Sequence, residues 1–487
     1  MLKESEIKSF IDNDNASKLK KQAQVGQNYY EAKHDIKDYT VFYFNNDGKP
    51  VVDKYRSNIK IAHPFFIELV DQATQYILSG KDGFIKSDEP ELQKEMDKYF
   101  NNNEDFIAEL SEVITGCQSK GFEYMYAYKN ENDRISFQCA DSLGVVEVEA
   151  RFASDKKDHT IYSYVDRVDK DDKTITKIQV WDDEYIYYYQ QVDSGDVVPD
   201  NCFNGKNVRP HTLYKADKDG AIEYETFGFV PFFRMDNNKK KKSSIWTVKD
   251  LIDDYDLINC GLSNNLVDFD TPLHVIKGYS EDNLDKLQFN VRTKKIVGLD
   301  DDGDVDVKTV NIPYEARKAK LQEDEKNIYK FGMGLNTAGL KDLNATTNIA
   351  IKAAYSLLDL RCSKLIIRLK QFLKKIVKVV LDEINATNKT DYTIDNVKME
   401  FKPEIMSNAQ ENAQNKLTEA QTQQVIINTL LSLAARLDNE TLMKNICDAL
   451  DIDYEEIKSK LPDPNEAEKE IDTAQSALDN VPVEESE

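Results

Sequence analysis

The sequence predicts an α+β protein of several domains, and three patterns support this fold class. From about residue 122 to 233, apolar and polar side chains alternate with a period of two, which is typical of half-buried strands. From about 346 to 384, apolar side chains recur every three or four positions, which predicts one uninterrupted helix. Two further helical patterns, at about 244–269 and 313–331, enclose a small strand-containing segment. A length of 487 residues is enough for roughly two to four domains.

The chain before the strands is predicted to be mainly helical. Residues 37–57 have no helical periodicity and are predicted to be extended and loop-like. Helices are predicted on both sides of them, over about 1–36 (one or two helices), between Leu69 and Gly80, and over about 90–101 and 105–120. Glycine favours the end of a helix, so Gly80 and Gly121 are interpreted as helix stops.

Five strands are predicted in the period-two region, at 122–128, 134–138, 160–165, 174–180 and 184–190, and a further apolar stretch at 227–235 closes the region. These segments are separated by turns rich in Asp, Lys and Asn, so the region is predicted to be mostly antiparallel. Its many tyrosines are interpreted as sheet residues with high β-propensity rather than as a platform on which bases stack.

The predicted long helix would extend for roughly 60 Å, which suits a spine on which other parts pack or a strut in an assembly. Its apolar stripe is predicted to be buried and consists of Ala354, Leu358, Cys362, Leu365, Leu369, Phe372, Ile376 and Val380. A basic stripe runs beside it and consists of Arg361, Lys364, Arg368, Lys375 and Lys378.

The helix at about 244–269 carries four carboxylates, Asp250, Asp253, Asp254 and Asp256, which are interpreted as an exposed acidic face. No neighbouring residues complete a metal or acid–base site there. The segment around Gly303 lacks both essential carboxylates of a calcium loop. The six cysteines and five histidines are scattered without zinc-ligand spacing, and no recognisable catalytic motif is present. The sequence therefore predicts no metal, no cofactor and no enzymatic activity.

A net charge of −24 argues against a surface that grips DNA or anionic lipid, because such a surface needs a basic footprint. It does not exclude a surface that DNA passes without binding. The N-terminus has no signal-peptide core, and the most apolar run, at 425–437, is too short and polar to span a bilayer. The protein is expected to be made in the cytoplasm and to have no membrane contact.

Several of these stretches resemble the bacteriophage portal proteins of the SPP1 type, over roughly residues 20–405. The most specific stretch combines Pro231-Phe232, the turn Asn237-Asn238 and the helix core Leu251-Ile252-Asp253-Asp254-Tyr255. Similar segments also lie at 29–36, 58–80 and 121–128. One departure is Thr347-Asn348, where the family often has Ser-Gly before the long helix.

The resemblance implies a ring, commonly a homododecamer, that occupies one vertex of the virion capsid and is assembled in the host cytoplasm. DNA would be packaged and ejected through its channel. The implied regions are a wing (1–243), a stem helix (244–269), a clip (270–312), a second stem helix (313–331), a tunnel loop (332–347), a spine helix with a wing strand (348–405), a helical crown (406–461) and an acidic tail (462–487). The implied partners are the large subunit of terminase, a head–tail adaptor, the major capsid and scaffold proteins, and the double-stranded DNA in the channel.

Within this arrangement, the tunnel loop is the segment expected to meet DNA. Its expected DNA-facing residues are Asn336, Thr337, Leu340, Lys341 and Asn344. Lys341 would make a weak phosphate contact, or else face solvent or a neighbouring subunit. The acidic stem face would repel DNA, and the basic stripe of the long helix would pair with acidic surface of a neighbouring subunit or lie under the crown.

Two other functions remain open from the sequence. One is a minor head or scaffold protein that forms no ring. The other is a metal-dependent nuclease that uses the Asp clusters, although no clustered His or Glu supports it.

Overall fold

The computed structural model describes residues 2–54, 56–130, 134–150, 153–168, 172–212, 226–269, 273–277, 304–308, 312–337, 348–404, 409–433, 436–450, 452 and 454. The chain divides into two compact units. The first consists of Met1–Asn344 and Lys352–Ile405, and the second of Ala345–Ile351 and Met406–Glu487.

The first unit begins with five helices, as the periodicity predicts, together with three short strands that were not predicted. The helices are α1 (Glu4–Ala16), α2 (Lys18–Tyr30), α3 (Phe65–Leu78), α4 (Pro90–Met96) and α5 (Glu104–Lys120). The stretch between α2 and α3 contains the hairpin β1 (Phe42–Phe44) and β2 (Pro50–Val52), and β3 (Ile85–Ser87) precedes α4. Gly121 ends α5 in the left-handed conformation with φ of 102°, which confirms its role as a helix stop.

The β-rich region forms two antiparallel sheets. The larger sheet contains β6 (Val145–Ala150), β7 (Ala153–Val168), β8 (Thr174–Trp181), β9 (Tyr185–Val192), β10 (Val198–Pro199) and β11 (Val208–Pro210). The smaller sheet has the order β12 (Phe232–Asp236), β4 (Phe122–Lys129) and β5 (Ile135–Ala140). The five predicted strands are confirmed, whereas β6, β10 and β11 were not predicted. Tyr124 and Tyr189 are buried in these sheets, which supports the interpretation of the tyrosines as sheet residues.

Two long helices follow the sheets and pack against each other. The short turn Ser244–Thr247 leads into α6 (Lys249–Asp268), and α7 (Tyr314–Gly332) packs against α6 on its return. Between them lie β13 (Leu273–Lys277) and β14 (Asp304–Lys308), which pair in antiparallel fashion. The sequence predicted α6 and α7 within a few residues of their observed bounds, whereas the strand β14 was not predicted.

The long helix is α8 (Asn348–Asn388), and its predicted apolar stripe is buried from Leu358 to Val380. Within the first unit it packs on the N-terminal helices, where the Tyr76 hydroxyl donates to Asp359 at 3.2 Å and the Tyr99 hydroxyl to Glu383 at 2.8 Å. After it, β15 (Val397–Met399) pairs with β3. These contacts make α8 a structural centre of the first unit.

The second unit contains α9 (Ala409–Ser432) and α10 (Asn439–Ala449), which pack against each other. The Asp438 side chain caps α10 by accepting a hydrogen bond from the Thr441 amide at 2.9 Å. Residues 455–461 of the implied crown and the whole acidic tail (462–487) lie outside the described residues. In the part of the chain that the structure describes, no helix combines the length and apolarity needed to cross a membrane.

Candidate functional site at the base of the paired helices

An extended segment at 57–63 lies along α6 and is fastened to it by a regular ladder of hydrogen bonds. Every second backbone amide of the segment donates to every fourth side chain of the helix: Ser57 to Asp268 Oδ1 (2.9 Å), Ile59 to Asn264 Oδ1 (2.6 Å), Ile61 to Cys260 Sγ (3.2 Å) and His63 to Asp256 Oδ1 (3.0 Å). Four helical residues advance by about 6 Å and two extended residues by about 6.7 Å, so the two repeats nearly coincide. This segment, which we call the strap, is therefore held along most of α6.

Asp256 is the end of this ladder and is fully buried. His34 Nδ1 lies 2.6 Å and His63 Nδ1 2.7 Å from its two carboxylate oxygens. A carboxylate only accepts hydrogen bonds, so both Nδ1 atoms carry the proton. Burial alone would raise the pKa of Asp256, but the hydrogen bonds from both histidines outweigh it and hold the pKa below its usual value. The prediction of an exposed acidic face is therefore wrong for Asp256.

The other three predicted carboxylates of α6 occupy different surroundings. Asp253 is half-buried, accepts a hydrogen bond from the Tyr29 hydroxyl and pairs with Lys249 at 2.7 Å. Asp254 is half-buried and pairs with Lys320 of α7 at 2.6 Å. Asp250 is exposed. Of the predicted acidic face, only Asp250 is exposed and has no ion pair among the described residues.

The end of α7 is fixed by the side chain of Gln72 from α3. The helix ends at Met333 with φ of 53°, and the Gly334 amide returns to the Tyr329 carbonyl at 2.9 Å. Gln72 then binds the backbone of Leu335 twice: its Oε1 accepts from the amide at 2.9 Å and its Nε2 donates to the carbonyl at 3.0 Å. The chain that leaves α7 therefore starts from a fixed point.

Arg361 of α8 connects the end of α7 to α3 and α5 through hydrogen bonds. Its guanidinium donates to the Leu69 carbonyl of α3 at 2.9 Å, the Gly332 carbonyl at the end of α7 at 3.1 Å and the Gln118 side chain of α5 at 2.7 Å. Burial lowers the pKa of Arg361 to about 10. The sequence grouped Arg361 with a surface stripe of basic residues, and the structure corrects this. Lys364, Lys375 and Lys378 of that stripe are exposed and Arg368 is half-buried.

Two glycines allow the helices to approach at this junction. A Cβ atom on Gly332 would lie 2.6 Å from a Leu69 methyl group, and one on Gly334 would lie even closer to the other Leu69 methyl group. Both distances are far below van der Waals contact, so larger residues would push α3 and α7 apart. These two glycines therefore have a packing role at the end of α7.

The structure places only part of the predicted DNA-facing loop. Asn336 is half-buried and Thr337 is exposed just beyond the Gln72 clamp. Leu340, Lys341 and Asn344 lie outside the described residues. Within the described ranges no group of three or more His, Cys, Asp or Glu side chains is arranged to hold a metal ion.

Sequence reasoning missed Gln72, Arg361 and the strap. One signal for the strap was present in the sequence: Asp256, Cys260 and Asn264 recur at four-residue intervals and therefore lie on one face of α6. Polar and thiol side chains in such a row indicate a helix face that binds backbone groups.

Comparison with known proteins identifies the family of this chain. The sequence profile of the family described as "Phage portal protein, SPP1 Gp6-like" matches residues 9–469. The chain is similar to the portal protein of Bacillus phage SPP1, with 26% identity over 398 residues that cover 80% of this chain and 74% of the relative. It is also similar to the portal protein of Clostridium phage phiCD119, with 23% identity over 404 residues that cover 80% of this chain and 83% of the relative. Because the family profile spans nearly the whole sequence, the chain belongs to the SPP1 Gp6-like family of phage portal proteins.

Proposed function

We propose that this chain assembles into a ring at one vertex of a phage capsid, where it forms the channel for DNA packaging and ejection. The observation that carries the proposal is the family match over residues 9–469. The proposed regions are the wing at 1–243, the stem helices at 244–269 and 313–331, the clip at 270–312, the tunnel loop at 332–347, the spine with a wing strand at 348–405, the crown at 406–461 and the tail at 462–487.

The surface of the paired helices supports assembly with copies of the same chain. On α6, Leu257, Leu266 and Val267 expose between 43% and 57% of their surface, and Tyr314 at the start of α7 exposes 50%. Removal of these apolar side chains from water by contact between copies would favour association. In a ring the neighbouring copies would cover these side chains.

Weak interaction with DNA is proposed for the channel wall. An acidic chain has little tendency to bind phosphates by counterion release, so DNA can slide past it. The exposed Asp250 is proposed to contribute to this repulsion, whereas Asp253, Asp254 and Asp256 serve the protomer through ion pairs and hydrogen bonds. The tunnel loop is proposed to touch DNA through Asn336, Thr337, Leu340, Lys341 and Asn344.

The fixed root of the loop supports this role. Gln72 and Arg361 hold Leu335 and Gly332 against α3. A loop that is anchored at its base delivers its tip to a defined radius of the channel, and we propose that this is the function of the junction. The clip would bind the large subunit of terminase during packaging and the head–tail adaptor afterwards, while the wing and crown would face the major capsid and scaffold proteins.

Deletion of the coding gene from the phage that carries it tests the proposal. We expect heads without DNA and no infectious particles, both restored by the gene in trans. DNA-filled, infectious particles from the deletion strain would contradict it.

A further inference from the structure

We propose that the hairpin β1–β2 packs on a neighbouring copy of this chain and is one of the contacts that hold the copies together. The inference rests on the proposed ring. The hairpin pairs Phe42 with Val52, Tyr43 with Val51 and Phe44 with Pro50. Its two strands are therefore almost entirely apolar, on both faces.

These side chains are uncovered in the protomer. Phe44 exposes 67%, Phe42 54%, Val52 53%, Tyr43 47% and Val51 36% of their surface. The three aromatic side chains alone leave roughly 250–400 Å² exposed, if each offers about 150–250 Å² in full. A standard interface takes about 800 Å² from each partner, and monomers rarely expose apolar patches above a few hundred Å². The hairpin thus offers a large part of one side of an interface.

The hairpin is also unsupported by any further strand. Among the described residues β1 and β2 pair only with each other, which leaves both outer edges open. An isolated two-stranded hairpin is marginally stable in water, and additional strands or packing against another element are needed to stabilise it. Among the described residues no further strand supplies that packing, so a partner is expected to supply it.

The neck of the hairpin is nevertheless firmly held. Lys37 Nζ donates to the Lys60 carbonyl at 3.1 Å, and Lys60 Nζ donates to the Lys37 carbonyl at 2.7 Å. These two hydrogen bonds connect the chain before the hairpin to the chain after it. The strap begins at Ser57, a few residues after the hairpin ends at Val52, and its first amide donates to Asp268. An apolar arm on a fixed base binds a partner with little loss of conformational freedom.

Charge favours a second copy of the same chain as the partner. Copies that each carry a net charge of −24 repel one another. A contact between copies is therefore most favourable at a surface segment whose own net charge is zero. Residues 38–56 meet this condition: Asp38, Asp47 and Asp53 balance Lys49, Lys54 and Arg56. The turn between the strands, at 45–49, is polar, which argues against insertion of the hairpin into lipid.

The same chain also offers an acceptor surface. Leu257, Leu266 and Val267 of α6 are exposed and apolar, on a different element from the hairpin. Contact between two different patches of identical chains is heterologous, and such contacts generate a ring when the rotation from copy to copy closes. The hairpin of one copy and the α6 surface of the next form such a pair.

Hydrogen exchange of the wild-type protein provides the first test. We expect the hairpin segment at 42–52 to exchange at least about tenfold more slowly in assembled rings than in unassembled protomers. Equal exchange in the two states overturns the inference. Protection that appears only when another head protein is added also overturns it, because the partner is then not a second copy.

Assembly of variants provides the second test, by sedimentation over a range of protein concentrations. The double variant Phe42→Thr/Phe44→Thr is expected to need on the order of tenfold more protein for half-maximal ring formation. Phe42→Tyr/Phe44→Tyr retains the apolar surface and Tyr185→Thr removes an exposed aromatic residue from β9, so both controls are expected to stay within about twofold of wild type. Rings that form equally well from the Thr variant overturn the inference but not the ring. A wild-type protein that forms no oligomer overturns both proposals.

Discussion

Replacement of Arg361 by methionine should loosen the junction between α3, α5, α7 and α8. Methionine keeps much of the apolar stem of arginine but removes the guanidinium, which donates to Leu69, Gly332 and Gln118. The variant therefore tests whether this buried cation holds the end of α7 in place.

The expected loss of stability follows from two opposing contributions. Three hydrogen bonds from a charged group stabilise by about 1.5–3 kcal/mol each, or roughly 4.5–9 kcal/mol in total. Against this, burial lowers the pKa of Arg361 from 12.5 to about 10, and the corresponding cost of burying the charge is about 3 kcal/mol. The difference is about 1.5–6 kcal/mol, so we expect Arg361→Met to destabilise the junction by about 3 kcal/mol.

Hydrogen exchange of the segments at 66–78 and 328–337, followed by mass spectrometry, measures this loss as a fall in the free energy of local opening. Arg361→Lys should lie between wild type and Arg361→Met, because an ammonium group cannot span three acceptors as the guanidinium does. Lys364→Met is the matched control on the exposed face of the same helix and should change the opening free energy by less than about 0.5 kcal/mol. Exchange in Arg361→Met that equals wild type would refute the reasoning.

Four further perturbations follow from the structure. His211 is buried, and desolvation lowers its pKa to about 4, so as the pH falls below about 6.5 the histidine takes up a proton in the unfolded protein before it does so in the folded protein. The free energy of unfolding of the wild type, measured by chemical denaturation, should therefore drop by about 2 kcal/mol between pH 7 and 5. A His211→Gln variant with the same pH dependence would count against this. Asp256→Asn should lower the free energy of unfolding by about 3 kcal/mol in the same assay, because it disrupts the acceptor shared by two histidines. Because the pKa of Asp256 is lowered in the folded protein, its stabilising contribution should be present above the ordinary pKa of 3.8 and lost as the pH falls further. An unchanged denaturation midpoint in Asp256→Asn would exclude that role. Lys341→Glu should shorten the packaged DNA or lower the phage titre, and normal values of both would eliminate the DNA contact. Rings should dissociate in about 1 M salt if the exposed lysines of α8 pair with acidic surface of a neighbour, and rings indifferent to salt would contradict that pairing.

The helices could be predicted from sequence because their signal is local. The long helix was expected at about 346–384 and is observed at Asn348–Asn388, since its apolar side chains recur at helical spacing along its whole length. The five strands with clear alternation were also predicted. By contrast, β10 has only two residues and exists because it pairs with Tyr189 and Gln190 of β9, which no local pattern reveals.

The contacts around Arg361 at the end of α7 and those around Asp256 of α6 could not be predicted, because they join residues that are far apart in the chain. His34 and Asp256 are 222 positions apart, and Arg361 lies 292 positions from Leu69. In the sequence Arg361 has the same spacing as its basic neighbours on α8, so only the carbonyl groups that approach it in the folded protein distinguish it from an exposed lysine. Asp256 was assigned to the surface for the same reason, since its histidine partners come from other elements.

End-on imaging of the purified protein by negative-stain electron microscopy tests the proposed ring most directly. The protein should be imaged over a range of concentrations and salt conditions, so that an unassembled storage form is not mistaken for the final state. The account predicts class averages that show closed rings with a central hole wide enough for duplex DNA. Compact monomers under every condition would contradict it.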